Sequence, residues 1–227
     1  MMPNKVVVFD LEDTLYKEID FLKSGYHAVA DYLTKTVGIH DLYAEMIEAY
    51  QAGEKNVFQK VIDNYHLTVD KSVLIDIYRY HIPQIHLDGA VKSVLGQLKE
   101  NCHLAMVTDG RSKTKRNIIN ALGLAEYFDW SDVYISEEVG HLKTAPYSFE
   151  KIMETYPDCQ YICVGDNPAK DFLVPNKLGW MTVCLMDDGR NIHQQDLSLT
   201  ADFLPQRKIK IISDLIGIIN DTNRMDC

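Results

Sequence analysis

Lys5-Val6-Val7-Val8-Phe9-Asp10-Leu11-Glu12-Asp13-Thr14-Leu15 is the stretch on which the fold turns. Val6 to Phe9 form an unbroken apolar run that stops at three acids, Asp10, Glu12 and Asp13. So short and continuous a run suits a strand buried in a sheet covered on both faces. Acidic groups just past the carboxyl end of such a strand stand where open α/β sheets gather their chemistry.

Working outward, the pattern turns helical for about seventy residues. Phe21, Leu22, Tyr26, Val29, Ala30, Leu33 and Val37 recur at steps of three and four, and Gly38 supplies a stop. A second helix is expected over Asp41 to Gln51, and a third over Val57 to Tyr65. A fourth starts from Asp70 as N-cap and ends ahead of Pro83. Eight of the thirteen tyrosines fall between Tyr16 and Tyr80, as the packing of a small helical bundle would use them.

From Asp88-Gly89 onward helices and strands alternate, the signature of a parallel sheet. Helices are expected over 91–100, 112–122, 147–155, 168–178 and 208–220. Strands are expected over 103–107, 132–135, 160–164, 181–185 and 202–204. The fold class is therefore α/β: a Rossmann-like parallel sheet with helices on both faces, plus a small helical bundle. Residues 1–15 and 89–227 form the core domain, and 16–88 form an inserted domain.

Composition narrows the function. At 227 residues the chain holds one large domain or a core with an insertion, and 46% apolar residues supply a sizeable interior. The formal charge of -10 argues against nucleic-acid phosphates and anionic lipid as partners. Cys102, Cys159, Cys163, Cys184 and Cys227 follow no zinc spacing, and an odd number leaves one over in any pairing. Reduced thiols in the cytoplasm are expected. No apolar run approaches the roughly 18 residues of a membrane-spanning helix, and no signal-peptide pattern precedes the first strand.

The chemistry concentrates after the strands. The first ends in Asp10 and Glu12, the second in Thr108-Asp109-Gly110, and the fourth in Gly165-Asp166 with Asp171 a helical turn further on. Lys143 stands just before a helix between the third and fourth. Carboxylates with one lysine are the composition of a magnesium-assisted phosphoryl-transfer site. Magnesium takes oxygen ligands and usually only one or two carboxylates, which Asp10 and Asp166 can supply. A carboxylate can attack phosphorus and divide one hard displacement into two easier ones. Lys143 would offset charge, and Glu12 could protonate the leaving oxygen and later activate water.

These residues resemble the motifs of the haloacid dehalogenase superfamily, whose members are mostly magnesium-dependent phosphatases. The resemblance rests on Val7-Val8-Phe9-Asp10-Leu11-Glu12-Asp13-Thr14-Leu15, Met106-Val107-Thr108-Asp109-Gly110, Lys143, and Val164-Gly165-Asp166-Asn167-Pro168-Ala169-Lys170-Asp171, in that order along the chain. It implies a Rossmann-like core with a helical cap between the first and second motifs. It further implies Asp10 as nucleophile and metal ligand, and Glu12 as acid and base, with its main-chain carbonyl on the metal. Thr108 and neighbouring backbone N–H groups at Asp109 and Gly110 would hold phosphoryl oxygens beside Lys143. Asp166 and Asp171 complete the metal side.

Two positions depart from the family pattern. Phosphatases of the superfamily usually carry aspartate where this chain has Glu12, one methylene longer, and many relatives have proline where it has Thr144. The segment Arg111-Ser112-Lys113-Thr114-Lys115-Arg116 puts four cations at a helix start, against the helix dipole. Arg111, with Arg116, is expected to draw an anionic substrate to the site. The resulting expectation is a phosphatase of a small phosphorylated metabolite. A non-hydrolytic phosphate-binding protein or a phosphomutase would use the same residues.

Overall fold

The computed structural model describes residues 4–222. Six parallel strands form one sheet: β1 (Lys5–Phe9), β2 (His103–Thr108), β3 (Val133–Ile135), β4 (Gln160–Gly165), β5 (Met181–Leu185) and β6 (Arg207–Ile209). Their order is β3-β2-β1-β4-β5-β6. The chain therefore leaves β1 toward β2 on one side and returns to β4 on the other. A crevice opens at that reversal, above the carboxyl ends of β1 and β4. Phe9 pairs in register with Met106 and Val164, so Asp10 is the first residue past the edge.

The helices are α1 (Glu18–Val37), α2 (Leu42–Gln51), α3 (Val57–Asn64), α4 (Lys71–Tyr80), α5 (Gly89–Lys99), α6 (Ser112–Ala121), α7 (Ser136–Val139), α8 (Tyr147–Thr155), α9 (Pro168–Asp171), α10 (Leu173–Lys177) and α11 (Asp214–Thr222). Strand alternation divides the core. Val7 and Phe9 pack with Leu95, Met106, Ile119 and Leu215 on one face, and Val6 and Val8 pack with Phe149, Ile152 and Trp180 on the other. The apolar run of β1 is thus buried on both sides, each such side chain contributing roughly 1.5–3 kcal/mol.

Helices α1 to α4 enclose a separate apolar cluster, with Leu22, Val29, Leu33, Met46, Val61 and Leu74 inside. Its aromatic part is Tyr26, whose ring centroid lies 5.7 Å from Phe58, 6.0 Å from Tyr78 and 6.5 Å from Tyr50. No helix among the described residues is long and apolar enough to cross a membrane.

Several boundaries differ from the sequence reading. Residues 202–204 are not a strand: Ala201–Phe203 make a short 3-10 turn, tied down by Asn176 donating to the Asp202 and Leu204 carbonyls. The sixth strand is β6, an edge strand with Arg207 and Lys208 exposed and only Ile209 buried, which gives it no apolar pattern to read. The helix expected over 208–220 consequently begins at Asp214. The helix expected over 168–178 breaks at Phe172, since Pro175 lacks the N–H that would bond the Asp171 carbonyl. Cys102, Cys163 and Cys184 are free thiols, and Cys227 lies outside the described residues.

Candidate active site

Asp10 is fixed at the crevice by its own N–H, which donates to the Val164 carbonyl of β4 at 2.9 Å. Its Oδ1 meets Lys143 Nζ at 2.8 Å. The loop before α8 delivers that lysine, and Asp109 Oδ1 holds it there by accepting from the Lys143 N–H at 2.9 Å. The same ammonium lies 2.5 Å from Asp171 Oδ1. Asp171 Oδ2 accepts from the Asp166 and Asn167 N–H groups at 3.1 and 2.7 Å, so this carboxylate shapes the loop after β4. Only glycine fits at 165, because a Cβ there would overlap Asp171 Oδ2. Asp166 Oδ2 in turn accepts from Asn191 Nδ2 at 3.0 Å.

Two residues further along the chain, Glu12 lies in different company. Lys115 Nζ is 2.5 Å from its Oε2, Thr108 Oγ1 donates to that oxygen at 3.1 Å, and Tyr16 Oη donates to Oε1 at 3.2 Å. Lys115 reaches Glu12 from the first turn of α6, where side chains lean back toward the helix N-terminus and here toward the sheet rim.

Asp10, Glu12, Asp13, Glu18, Asp109 and Asp166 line one cavity of about 100 Å³ with Lys115, Lys143, Lys170 and His193. A larger cavity of about 450 Å³ shares only Asp13 with it and contains none of the clustered carboxylates. The electrostatics follow from burial. Desolvation pushes the Asp166 carboxyl up to about 9, aided by Asp10 and Asp171. It also raises Asp10, against the pull of Lys143. For Glu12 burial acts in the same sense, but the Lys115 ammonium together with Lys143 and the Thr108 hydroxyl outweighs it and holds the carboxyl below its ordinary value. Lys143 is driven well above its usual range because Asp10 and Asp171 overcome its own desolvation.

Asp10, Asp166 and Asp171 each offer an oxygen within 4.8 Å of the others. Three buried carboxyls with one ammonium can all ionise near neutral pH only beside a further positive charge, and an all-oxygen donor set suits a hard divalent cation. Asp10 and Asp166 open on the cavity, whereas Asp171 does not line it and directs its oxygens to Lys143 and two backbone N–H groups.

Residues 4–179 match the family model of the haloacid dehalogenase-like hydrolases. The chain belongs to that family. The hydrolase is 24% identical to glyceraldehyde 3-phosphate phosphatase of Methanocaldococcus jannaschii, over 97% of this chain and 99% of that one. Its fold is similar to that of the HAD-hydrolase YfnB of Bacillus subtilis solved with magnesium, at a TM-score of 0.67 and 19% identity over 96% and 99% of the two chains. It is likewise similar to 2-haloacid dehalogenase of Pseudomonas syringae, at 0.64 and 19% over 98% and 100%.

Within the hydrolase, Asp10, Glu12, Asp109, Lys143 and Asp166 share the cavity. Thr108 is buried beneath it and bonded to Glu12, and the Gly110 N–H is taken by Ser136 Oγ at 2.9 Å. Arg111 does not line the cavity; it is exposed, with Nη1 3.4 Å from Tyr80 Oη. Arg116 is engaged by Glu138 at 2.6 Å and lies over the Trp130 ring. The acids of α7 answer the unfavourable helix start, Glu137 accepting from the Ser112 N–H and Glu138 pairing Arg116. Sequence reasoning missed Lys115, Tyr16 and the loop after β5. In that loop Lys17 Nζ donates to Asn191 Oδ1 at 2.7 Å, and Gln195 donates to the Asp166 carbonyl at 2.7 Å. Lys115 had a legible signal, four residues into a helix that starts at the rim.

Proposed function

We propose that this hydrolase is a magnesium-dependent phosphatase that works through an aspartyl-phosphate on Asp10. The observation that carries the reading is the pair of carboxylates on one cavity, Asp10 against Lys143 and Glu12 against Lys115. The pairing gives a nucleophile and a separate proton carrier, as double displacement at phosphorus requires. Asp10, Asp166 and the Glu12 main-chain carbonyl would hold Mg²⁺, which when bound would neutralise the carboxylates and the incoming phosphate. Asp171 serves as the anchor that aims Lys143.

The residues divide the work. Glu12 is a carboxylate beside Lys115 at rest and takes up a proton from solvent as the negative phosphate enters the cavity. Asp10 then attacks phosphorus while the bond to the leaving oxygen breaks, and Glu12 gives that oxygen its proton. Glu12, now ionised, takes a proton from water, whose oxygen attacks the same phosphorus and frees Asp10 with release of phosphate. Lys143 offsets negative charge on the phosphoryl oxygens throughout. The helical insertion at 16–88 serves as a cap over the leaving group, and we take the substrate to be a small phosphorylated metabolite. The small cavity and the activity named for the archaeal relative both favour that class.

The test is hydrolysis of p-nitrophenyl phosphate and of glyceraldehyde 3-phosphate with Mg²⁺, with a chelator, and by Asp10→Asn. Turnover that needs both the metal and Asp10 supports the phosphatase. Equal background rates in wild type and variant would overturn it, and halide release from chloroacetate would reassign the chain to dehalogenation.

A further inference from the structure

We propose that Lys115 is a positioning residue for Glu12, and that the two act as a matched pair which adapts the site to the longer glutamate arm. The inference rests on the acid and base role just assigned to Glu12. The Lys115 ammonium is 2.5 Å from Glu12 Oε2, with the two side chains 10% and 17% exposed. A surface lysine sampling many rotamers would not be confined in this way, and its ordering must be offset by a specific contact. Both carboxylate oxygens are engaged, Oε2 by Lys115 and Thr108 and Oε1 by Tyr16, so the terminal torsion of the side chain is set from two sides.

The route of the lysine is a second, independent observation. Gly110 has φ +147°, and a Cβ built there would fall 2.5 Å from Lys115 Cε. The glycine after Thr108-Asp109 thus provides the passage through which the Lys115 arm crosses to the rim. Substitution at Gly110 would strain the backbone and force the Lys115 arm to shift. The Gly110 N–H is bonded to Ser136 rather than directed at the cavity, which leaves clearance for Lys115 as its evident contribution here.

The geometry separates this ammonium from Lys143. Lys143 binds the nucleophile Asp10 and its neighbour Asp171, whereas among the described residues Lys115 forms its ion pair with Glu12 alone. An aspartate at position 12 would carry its carboxylate one methylene back from the point where Lys115 now meets it. The extra methylene of Glu12 and the ammonium that receives it are therefore one arrangement.

Five proteins decide the matter with p-nitrophenyl phosphate and Mg²⁺: wild type, Lys115→Met, Lys115→Arg, Glu12→Gln, and the Glu12→Gln/Lys115→Met double variant. Lys115→Met is expected to lower kcat about 10- to 100-fold with KM within about twofold, part of what a misplaced acid-base group forfeits. Lys115→Arg should recover most of that loss, and the double variant should turn over at the Glu12→Gln rate. An equal loss from Lys115→Met in both backgrounds overturns the proposal. So does a rise in KM alone, which would make Lys115 a substrate ligand.

If the wild type hydrolyses neither phosphate, the phosphatase reading fails and urea unfolding of the same proteins decides the pair. Each single variant should lower the midpoint, with the double variant above Lys115→Met, because a lone buried charge is worse than none. Additive midpoints overturn it.

Discussion

The two sides of the cavity solve the same problem in different ways. On the β4 side, three clustered carboxyls have one ammonium, which touches Asp10 and Asp171; on the β2 side, one carboxylate meets one ammonium and two hydroxyls. The first group is incomplete without an added cation, and the second balances itself. Burial shows the same contrast, because it drives Asp166 up to about 9 while Glu12 stays below its ordinary value. On the proposed reading, the first side keeps charge in reserve for a metal and the second keeps a proton carrier ordered.

Removing the proposed nucleophile should break the β4 side outright. Asp10→Asn is expected to lower kcat at least about 10³-fold, measured as initial rates of aryl phosphate hydrolysis. Lys143→Met comes next: it strands Asp10 and Asp171 in the interior, costing about 3–5 kcal/mol in urea unfolding, and lowers turnover about 10²-fold. Unchanged stability in Lys143→Met would show that the ammonium is not what holds this side together.

The reserve of charge can be tested without turnover. At 100 times its Kd, Mg²⁺ should stabilise the wild type by about 2.7 kcal/mol, a rise in Tm of roughly 5–10 °C. In Asp166→Asn the rise should largely vanish, while the metal-free variant melts no lower than wild type because a buried, undercompensated carboxylate is gone. A full magnesium response in that variant would place the cation elsewhere. Gly165→Ala acts on the same side through sterics: its Cβ would displace Asp171 and cost about 1–3 kcal/mol, read as a lower urea midpoint.

The β4 side was legible in the sequence because its parts follow strands whose apolar runs announce themselves: Val6 to Phe9 before Asp10, and Tyr161 to Val164 before Gly165-Asp166. The β2 side was half hidden. Lys115 read as one of four cations on a solvated helix start, and only tertiary packing shows that α7 engages Arg116 while Gly110 lets Lys115 inward. Tyr16 and Asn191 were invisible for the same reason, since a hydroxyl four residues past Glu12 and an amide in an irregular loop carry no periodic signal. Edge strand β6 was misplaced because a strand with one neighbour and one buried residue does not need apolar alternation.

The finest test of the contrast is Tyr16→Phe. The hydroxyl donates to Glu12 Oε1 at 3.2 Å, and burial with the adjacent carboxylate holds the phenol well above its ordinary value, so it remains a donor at any working pH. Its loss leaves Lys115 and Thr108 on the other oxygen. A hydrogen bond to a charged group is worth about 1.5–3 kcal/mol, and at 3.2 Å this one belongs at the low end, so kcat should fall only about tenfold, with the magnesium response of melting intact. If Tyr16→Phe instead abolished that response, the two sides would be one network, and the separation of metal charge from proton transfer would not hold.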